Sequence, residues 1–190
     1  NITNKGIKNK RIKVLNISSN TKVTNEGISE MELSELNINN NPLVTDSAIM
    51  GMKLKKLYAG YNNKITDNGL KRMELEVLHA QYNNLITDEG IKDMKNTLKE
   101  LNVTYNNKIT DKGISGLGLK ILQANYNNSI TSQGIKNMKL RKLSAEGNTK
   151  IGDEGIKDMS TMKELNAGHN ISITNKGISN MKLKVLNASW

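Results

Sequence analysis

Residues 54–62 of the chain, LKKLYAGYN, contain the pattern from which its architecture follows, and residues 98–106 repeat it as LKELNVTYN. Around the second leucine of each stretch, apolar and polar residues alternate, as a strand with one buried face requires. Nine segments follow the general form L-x-x-L-x-[AVI]-x-x-N in register, although Ile12 and Met162 replace the first Leu in two of them and the sequence ends before the Asn of the ninth. A pattern repeated in this way predicts a stack of equivalent strands.

The residues between these stretches repeat as well, with a period of 21 that lengthens only at Asn96–Thr97 and at Ser160 or Thr161. An aliphatic residue and a Thr are followed by Asp, Asn or Ser, a variable residue, Gly, an aliphatic residue and then Met or Leu. The Thr-Asp pair predicts the capped start of a short helix, and the Gly predicts a tight backbone turn. The aliphatic residue and the Met, three positions apart, are expected to face the strand.

A strand followed by a helix in every period makes the chain coil back on itself. One such coil buries too few aliphatic side chains to offset the conformational entropy of 21 ordered residues, so neighbouring coils must stack. We therefore predict an α/β solenoid with a right-handed coil, a parallel concave sheet and short helices on the convex side. Residues 1–190 are expected to form a single array of about nine repeats. Both ends of the sequence fall inside a repeat, so we expect it to be an excerpt of a longer protein.

The nine copies resemble the leucine-rich-repeat family over the whole chain. Within that family, the I-T-D-x-G-I stretch is most similar to the cysteine-containing subclass found in the substrate receptors of F-box ubiquitin ligases. In this chain Asn replaces the Cys, and the 21-residue unit is shorter than the subclass usually has. The resemblance implies an interaction module, with substrate recognition as one expectation.

The Asn that closes each strand pattern is predicted to be structural. A buried amide at a tight turn satisfies backbone groups of the adjacent coil that would otherwise lack partners. We expect a ladder formed by Asn20, Asn41, Asn62, Asn83, Asn106, Asn127, Asn148 and Asn170.

Aromatic residues concentrate in the column just before this Asn. Tyr61, Tyr82, Tyr105 and Tyr126 are consecutive there, His169 and Trp190 follow later, and Tyr58 and His79 belong to the same strand segments. Amphipathic aromatics are common anchors of protein interfaces, so we predict that these eight residues line a partner-binding concave face. The alternative is that the tyrosines only stack on one another and cover the edge of the sheet.

A second column, two places before the second Leu, is basic in seven of nine coils. A line of cations can attract an acidic protein surface or a phosphate backbone, and the net charge of +10 is consistent with either. The alternative is an ordinary solvated face. The predicted binding residues of this column are Lys55, Lys99, Lys120, Arg141, Lys163 and Lys184.

The sequence contains no motif for catalysis, and we expect neither enzyme activity nor a cofactor nor a metal. It has no Cys, and its two His, His79 and His169, lie on different coils, too far apart to share a metal or a proton. No apolar run is long enough to span a membrane, and no signal peptide is recognisable. Two N-x-[ST] sequons use Asn127 and Asn170 of the predicted ladder, which favours an intracellular location while leaving an extracellular one open.

The leading interpretation is a non-catalytic module that binds a protein partner, one with an acidic surface, on its concave face. Two alternatives remain open at this point. The chain could bind nucleic acid or another anionic surface through its net positive charge, or it could serve as an architectural spacer in a larger assembly. The oligomeric state is not predicted.

Overall fold

The structure, a computed structural model, describes residues 2–189. Over that range the chain alternates one-turn helices with three-residue strands. The helices are α1 (Asn4–Ile7), α2 (Asn25–Ile28), α3 (Asp46–Ile49), α4 (Asp67–Leu70), α5 (Asp88–Ile91), α6 (Asp111–Ile114), α7 (Ser132–Ile135), α8 (Asp153–Ile156) and α9 (Asn175–Ile178). The strands are β1 (Val14–Asn16), β2 (Glu35–Asn37), β3 (Lys56–Tyr58), β4 (Val77–His79), β5 (Glu100–Asn102), β6 (Ile121–Gln123), β7 (Lys142–Ser144), β8 (Glu164–Asn166) and β9 (Val185–Asn187).

All nine strands form one parallel sheet in sequence order, so each coil pairs only with the coils before and after it. The register follows the repeat: Leu57 lies opposite Leu36 on one side and Leu78 on the other. Hydrogen bonds between coils continue past the carboxyl end of the short strands, for example from the Tyr61 N–H to the Gln81 carbonyl at 2.9 Å. The predicted α/β solenoid of stacked coils is confirmed.

The hydrophobic core lies between the sheet and the helices and is supplied by the same columns in every coil. In one coil, Ile65, Leu70, Met73, Leu75 and Leu78 are all buried. The coil of β9 shows why stacking is needed. Its central leucine, Leu186, is 47% exposed, whereas the equivalent residue of the inner strands is fully or almost fully buried. A described neighbour covers only one side of that coil, so its leucine keeps contact with water.

A Thr in extended backbone precedes every helix except α8, which follows Gly152, and extended backbone is what a helix-capping residue should have. In α4, the Thr66 hydroxyl oxygen accepts a hydrogen bond from the backbone N–H of Asn68, and four other helices are capped in the same way. The Thr residues before α1, α2 and α3 make no such bond. The predicted cap is therefore present in five coils.

The Asp that begins five of the helices has a role that the sequence interpretation did not include. Its carboxylate binds the Thr of the next coil: Asp46 Oδ1 accepts from the Thr66 N–H at 2.8 Å and Oδ2 accepts from its hydroxyl at 2.6 Å. The same pair of bonds links Asp67, Asp88, Asp111 and Asp153 to the following Thr. Burial alone would raise the pKa of Asp153, but hydrogen bonds from Thr174 and Gly177 lower it. These bonds form a second ladder along the helical side of the stack.

The Gly found at the third position of eight of the nine helices was predicted to allow a tight turn, and that reason was wrong. A Cβ at Gly69 would lie 2.4 Å from Asp46 Oδ1 of the preceding coil, and one at Gly90 equally close to Asp67. Neither glycine has a positive φ. In these coils Gly leaves room for the carboxylate of the second ladder, whereas α3 has Ala48 at the same position, beside Asn25 and not beside a carboxylate.

The two predicted insertions lie where expected, on the return from helix to strand. Thr97 donates its backbone N–H to the Met94 carbonyl and so closes a turn after α5. Thr161 donates its hydroxyl to the Leu140 carbonyl of the previous coil at 2.7 Å. Both loops thus lengthen a coil without disturbing the register of the strands.

Candidate binding surface

The tyrosine row, which comprises Tyr61, Tyr82, Tyr105 and Tyr126, lies in the turn that follows each strand. In the third coil the Asn62 N–H bonds to the Ala59 carbonyl, which places Tyr61 at a turn position with φ +55°. A non-glycine residue in this left-handed region costs about 1–2 kcal/mol. The column nevertheless has positive φ in eight consecutive coils, occupied by Ser19, Asn40, Tyr61, Tyr82, Tyr105, Tyr126, Gly147 and His169.

The Asn ladder enforces this turn, as the sequence predicted. Asn62 Oδ1 accepts hydrogen bonds from the N–H groups of Lys64 and Ile65, at 2.8 and 3.1 Å. Its amide nitrogen donates to the Asn41 carbonyl of the previous coil at 2.9 Å. Both ends of a buried amide are thus satisfied, and seven ladder residues from Asn41 to Asn170 are buried. Satisfied bonds to a rigid ladder hold the strained turn in place.

The four rings of the tyrosine row stack on one another along the array. Ring centroids are 4.3 Å apart for Tyr61–Tyr82, 4.5 Å for Tyr82–Tyr105 and 4.7 Å for Tyr105–Tyr126, with interplanar angles of 24° or less. Stacking leaves the ring edges in water: Tyr61, Tyr82 and Tyr105 are 54%, 42% and 38% exposed. The row is therefore a rigid aromatic strip that remains accessible.

The strip ends at the seventh coil because that coil has no side chain at the equivalent position. A Cβ at Gly147 would lie 2.2 Å from the Tyr126 ring, so the ring covers this glycine. The Tyr126 hydroxyl also donates to Glu146 Oε1 at 3.3 Å. Tyr126 is consequently better ordered by its neighbours than Tyr61, whose outer ring face has no aromatic partner among residues 2–189.

Ionisation of two rings of the strip, Tyr82 and Tyr126, is suppressed. Desolvation, together with contacts to the hydroxyls of Tyr61 and Tyr105, raises the pKa of Tyr82 to about 12. Desolvation and the nearby Glu146 carboxylate raise the pKa of Tyr126 as well. The phenol hydroxyls of Tyr82 and Tyr126 therefore stay protonated and can donate hydrogen bonds beside the apolar ring edges.

Tyr58 and His79 lie beside the strip on the outer face of the sheet, at equivalent positions of β3 and β4. Their rings meet edge to face at 4.7 Å, and His79 Nε2 lies 2.8 Å from Glu100 Oε1. Lys56 pairs with Glu35 at 3.2 Å on the same face. Three positions of each coil belong to this face: the first and third residues of the strand and the second residue after it. Over the nine coils these positions contain four carboxylates (Glu35, Glu100, Glu146, Glu164) and two lysines (Lys56, Lys142), a net charge of −2.

The basic row, Lys55, Lys99, Lys120, Arg141, Lys163 and Lys184, lies along the opposite edge of the sheet. Its residues directly precede the strands, and their backbone groups belong to the ladder between coils, as from the Lys120 N–H to the Lys99 carbonyl at 2.8 Å. A three-residue strand and the turn after it separate this row from the tyrosine row, a distance of at most roughly 20 Å for six residues. The sequence placed both rows on one face, whereas the structure separates them on two edges of the sheet.

Two predicted binding residues remain, His169 and Trp190. His169 occupies the turn column at φ +50°, two coils beyond Tyr126, and is exposed. It therefore belongs to the edge of the tyrosine row and does not meet His79. Trp190 lies outside the described residues. Neither the positive φ of the column nor the separation of the rows was predicted, although Asn40 and Gly147, both tolerant of that backbone, are a sequence signal for the turn.

Acidic and histidine residues do not assemble into a metal-binding group anywhere in residues 2–189. Within the same range, none of the helices has the length and apolar character needed to cross a bilayer.

Comparison with known proteins agrees with this geometry. The family model described as "Leucine Rich repeat" matches three separate segments, residues 8–31, 95–118 and 136–160. Each matched segment contains one strand and the helix that follows it. The chain contains leucine-rich repeats. No curated protein sequence shows significant similarity to it.

Solved structures share the fold of this chain at low sequence identity. The TLR13–ssRNA13 complex matches with a TM-score of 0.66 and 18% identity, over 90% of this chain and 28% of that one. The yeast Rad7–Elc1 complex gives 0.56 and 18%, over 85% and 44%, and the internalin inlF of Listeria monocytogenes gives 0.56 and 21%, over 98% and 69%. The chain thus spans less than half the length of the first two.

Proposed function

We propose that this chain is a non-catalytic module that binds a protein partner along the tyrosine row and the adjoining sheet face. The observation that carries the proposal is a strip of four stacked tyrosines, three of them more than a third exposed, held in register by the Asn ladder. Tyr supplies a large amphipathic contact area at a low entropic cost, and it is enriched at interfaces.

The stacked rings are preorganised for binding, which supports the proposed interface. Stacking fixes each ring before a partner arrives, so binding costs little further side-chain entropy. The backbone strain at Tyr61, Tyr82 and Tyr105 is accepted in three consecutive coils, although Asn or Gly at the same position would relieve it. A strip with only a covering role would not need ring edges in water.

The charge of the sheet face changes which kind of partner surface we expect. Because that face has a net charge of −2 and the basic row lies at the other end of the strands, the acidic partner first expected would gain little attraction there. We propose instead a neutral or mildly basic partner surface with carbonyl groups that accept bonds from the Tyr hydroxyls. Among similar structures, Rad7 was solved in a complex with Elc1, and TLR13 in a complex with ssRNA13. Substrate recognition of the F-box type is a narrower form of the same proposal.

The test compares proteins captured by the wild-type chain and by the double variant Tyr82→Asn/Tyr105→Asn. Asn40 occupies the same turn position with φ +53°, so Asn preserves the backbone while it removes two rings. The matched control, Lys64→Asn/Lys108→Asn, alters two exposed residues just beyond the ladder. We expect a partner that survives moderate salt and is lost only with the tyrosine variant. Equal capture by all three proteins would overturn the proposal, and no partner at all would favour an architectural spacer.

We also propose that the protein functions inside the cell. Asn127 and Asn170 lie in sequons, yet both side chains are buried in the ladder, where a glycan has no room. Expression through a secretory pathway should glycosylate these residues before folding and reduce the yield of folded chain. Replacing Ser129 and Ser172 with Ala, which removes both sequons, should restore the yield. An unglycosylated, well-folded secreted protein would contradict the proposal.

A further inference from the structure

The positive charge of this chain is concentrated on one edge, formed by the nine segments that return from a helix to a strand. We call this the return edge: residues 8–13, 29–34, 50–55, 71–76, 92–99, 115–120, 136–141, 157–163 and 179–184. It contains 19 of the 28 Lys and Arg residues but only six of the 18 Asp and Glu residues. The return edge therefore carries a charge of +13 and the rest of the chain −3. The positive net charge of the chain thus comes from this edge alone.

Acidic residues neutralise the cations of the return edge to a different extent in its two halves. In the first four coils, Glu30, Glu32, Glu74 and Glu76 lie among the cations, and Lys13 and Lys55 pair with Glu32 and Glu74 at 2.9 and 3.8 Å. From the fifth coil onward, Asp93 and Asp158 are the acidic residues of the edge, against eleven cations. Lys92 and Lys157 pair with Glu89 and Glu154 of the adjacent helices, and the second half still keeps the larger share of the unneutralised charge.

Five members of the basic row form the centre of this half, one in each consecutive coil: Lys99, Lys120, Arg141, Lys163 and Lys184. Within residues 2–189 none of the five forms an ion pair with a carboxylate; the Lys99 ammonium donates only to the Asn96 carbonyl. Backbone hydrogen bonds of 2.7–2.8 Å link each to the next. Strand spacing therefore sets the cations about 4.8 Å apart in a line of roughly 19 Å.

The chemistry of this line distinguishes it from the tyrosine row. No aromatic side chain of the described chain lies on the return edge, and Lys outnumbers Arg. Protein interfaces are depleted in Lys and enriched in aromatic residues, whereas phosphate backbones are bound by rows of Lys and Arg. We propose that Lys99, Lys120, Arg141, Lys163 and Lys184 bind the phosphate backbone of a nucleic acid strand, without reading its bases. A line of this length matches about six nucleotides.

This surface is separate from the one proposed above, since the two rows lie on opposite edges of the sheet. A nucleic acid bound to the return edge leaves the tyrosine row free. The two proposals therefore stand or fall independently.

The test uses fluorescence anisotropy of a labelled oligothymidylate of about 12 nucleotides, measured between about 50 and 200 mM salt. The variant Lys120→Gln/Arg141→Gln/Lys163→Gln removes three charges from the line. The control Lys64→Gln/Lys108→Gln/Lys150→Gln removes three charges from exposed residues on the opposite edge. All six are surface side chains, and thermal melting will verify that both variants fold.

We expect the line variant to weaken binding more than tenfold and to reduce the slope of log K against log salt by about 2, since each single-strand phosphate contact contributes about 0.7. The control should retain most of the affinity, and a sequence other than thymidylate should bind equally well. No binding at low salt, or equal losses in both variants, would overturn the proposal.

Two further measurements separate other ligands. Poly-glutamate of matched charge that binds as tightly as the oligonucleotide would assign the line to acidic protein segments. A loss of oligonucleotide affinity in Tyr82→Asn/Tyr105→Asn would mean that bases stack on the tyrosine row. Either result would contradict recognition of the phosphate backbone by charge alone.

Discussion

Asp67 accepts two hydrogen bonds from Thr87 of the next coil, one from its backbone N–H and one from its hydroxyl, each 2.7 Å long. The second bond orients the Thr87 hydroxyl, so that its oxygen can accept the Glu89 N–H and cap α5. Where Asn replaces the Asp, at Asn4 and Asn25, the amide donates to the Thr oxygen and the cap is missing. One coil therefore determines how the helix of the next coil begins.

Replacement of Asp67 should show this dependence in graded form. Asp67→Asn should cost about 1 kcal/mol, because the backbone bond survives but the cap of α5 is lost. Asp67→Ala should cost about 1–3 kcal/mol more, since the Thr87 N–H then has no acceptor. Urea unfolding monitored by circular dichroism measures both. If Asn and Ala variants were equally stable, the proposed link between ladder and cap would be wrong.

Gly90→Ala tests the close approach of the second ladder. The new Cβ would lie 2.4 Å from Asp67 Oδ1, so we expect a loss of about 1–3 kcal/mol from the displaced carboxylate. Gly6→Ala is the matched control, because its nearest neighbour is 3.9 Å away and Ala favours a helix by up to about 1 kcal/mol. The same unfolding assay applies. Similar behaviour of the two variants would show that backbone flexibility, and not space, selects Gly.

Asn62→Ala tests the Asn ladder, and Asn63→Ala, which alters the adjacent exposed residue, is its control. The ladder variant leaves the buried N–H groups of Lys64 and Ile65 and the Asn41 carbonyl without partners, so the free energy of unfolding should fall by several kcal/mol, at about 1–3 kcal/mol per orphaned group. Asn63→Ala should change it by less than about 0.5 kcal/mol. Thermal melting of the two variants makes the comparison, and equal melting temperatures would contradict a structural ladder.

Tyr82 should ionise abnormally. Its pKa is raised from 10.0 to about 12, so the folded chain favours the neutral phenol. The contribution of this residue to stability is fully present below pH 10 and is lost as the pH rises from about 10 to 12. A tyrosinate absorbance titration of wild type minus Tyr82→Asn should therefore show a step centred near 12. A difference step near pH 10 would mean that the rings do not stack in solution.

Periodicity alone was enough to predict the coil, the parallel sheet, the Asn ladder and the loops that carry the insertions. Each of these depends on contacts between equivalent positions of adjacent repeats. Those positions can be identified from the amino-acid sequence, because they recur with the repeat period. Leu57, for example, had to meet Leu36 and Leu78 once the chain was known to coil. The same reasoning brought Tyr61, Tyr82 and Tyr105 into one line.

Position within a coil was harder to infer, because it depends on backbone geometry that the repeat does not specify. The chain turns sharply between Ala59 and Asn62, which moves the tyrosines from the sheet face to its edge and separates them from Lys55 and its row. The Asp carboxylates were assigned to their own helices, yet they bind a Thr 20 to 22 residues later. Which columns line up follows from the period, whereas which columns share a face depends on where each coil bends in three dimensions.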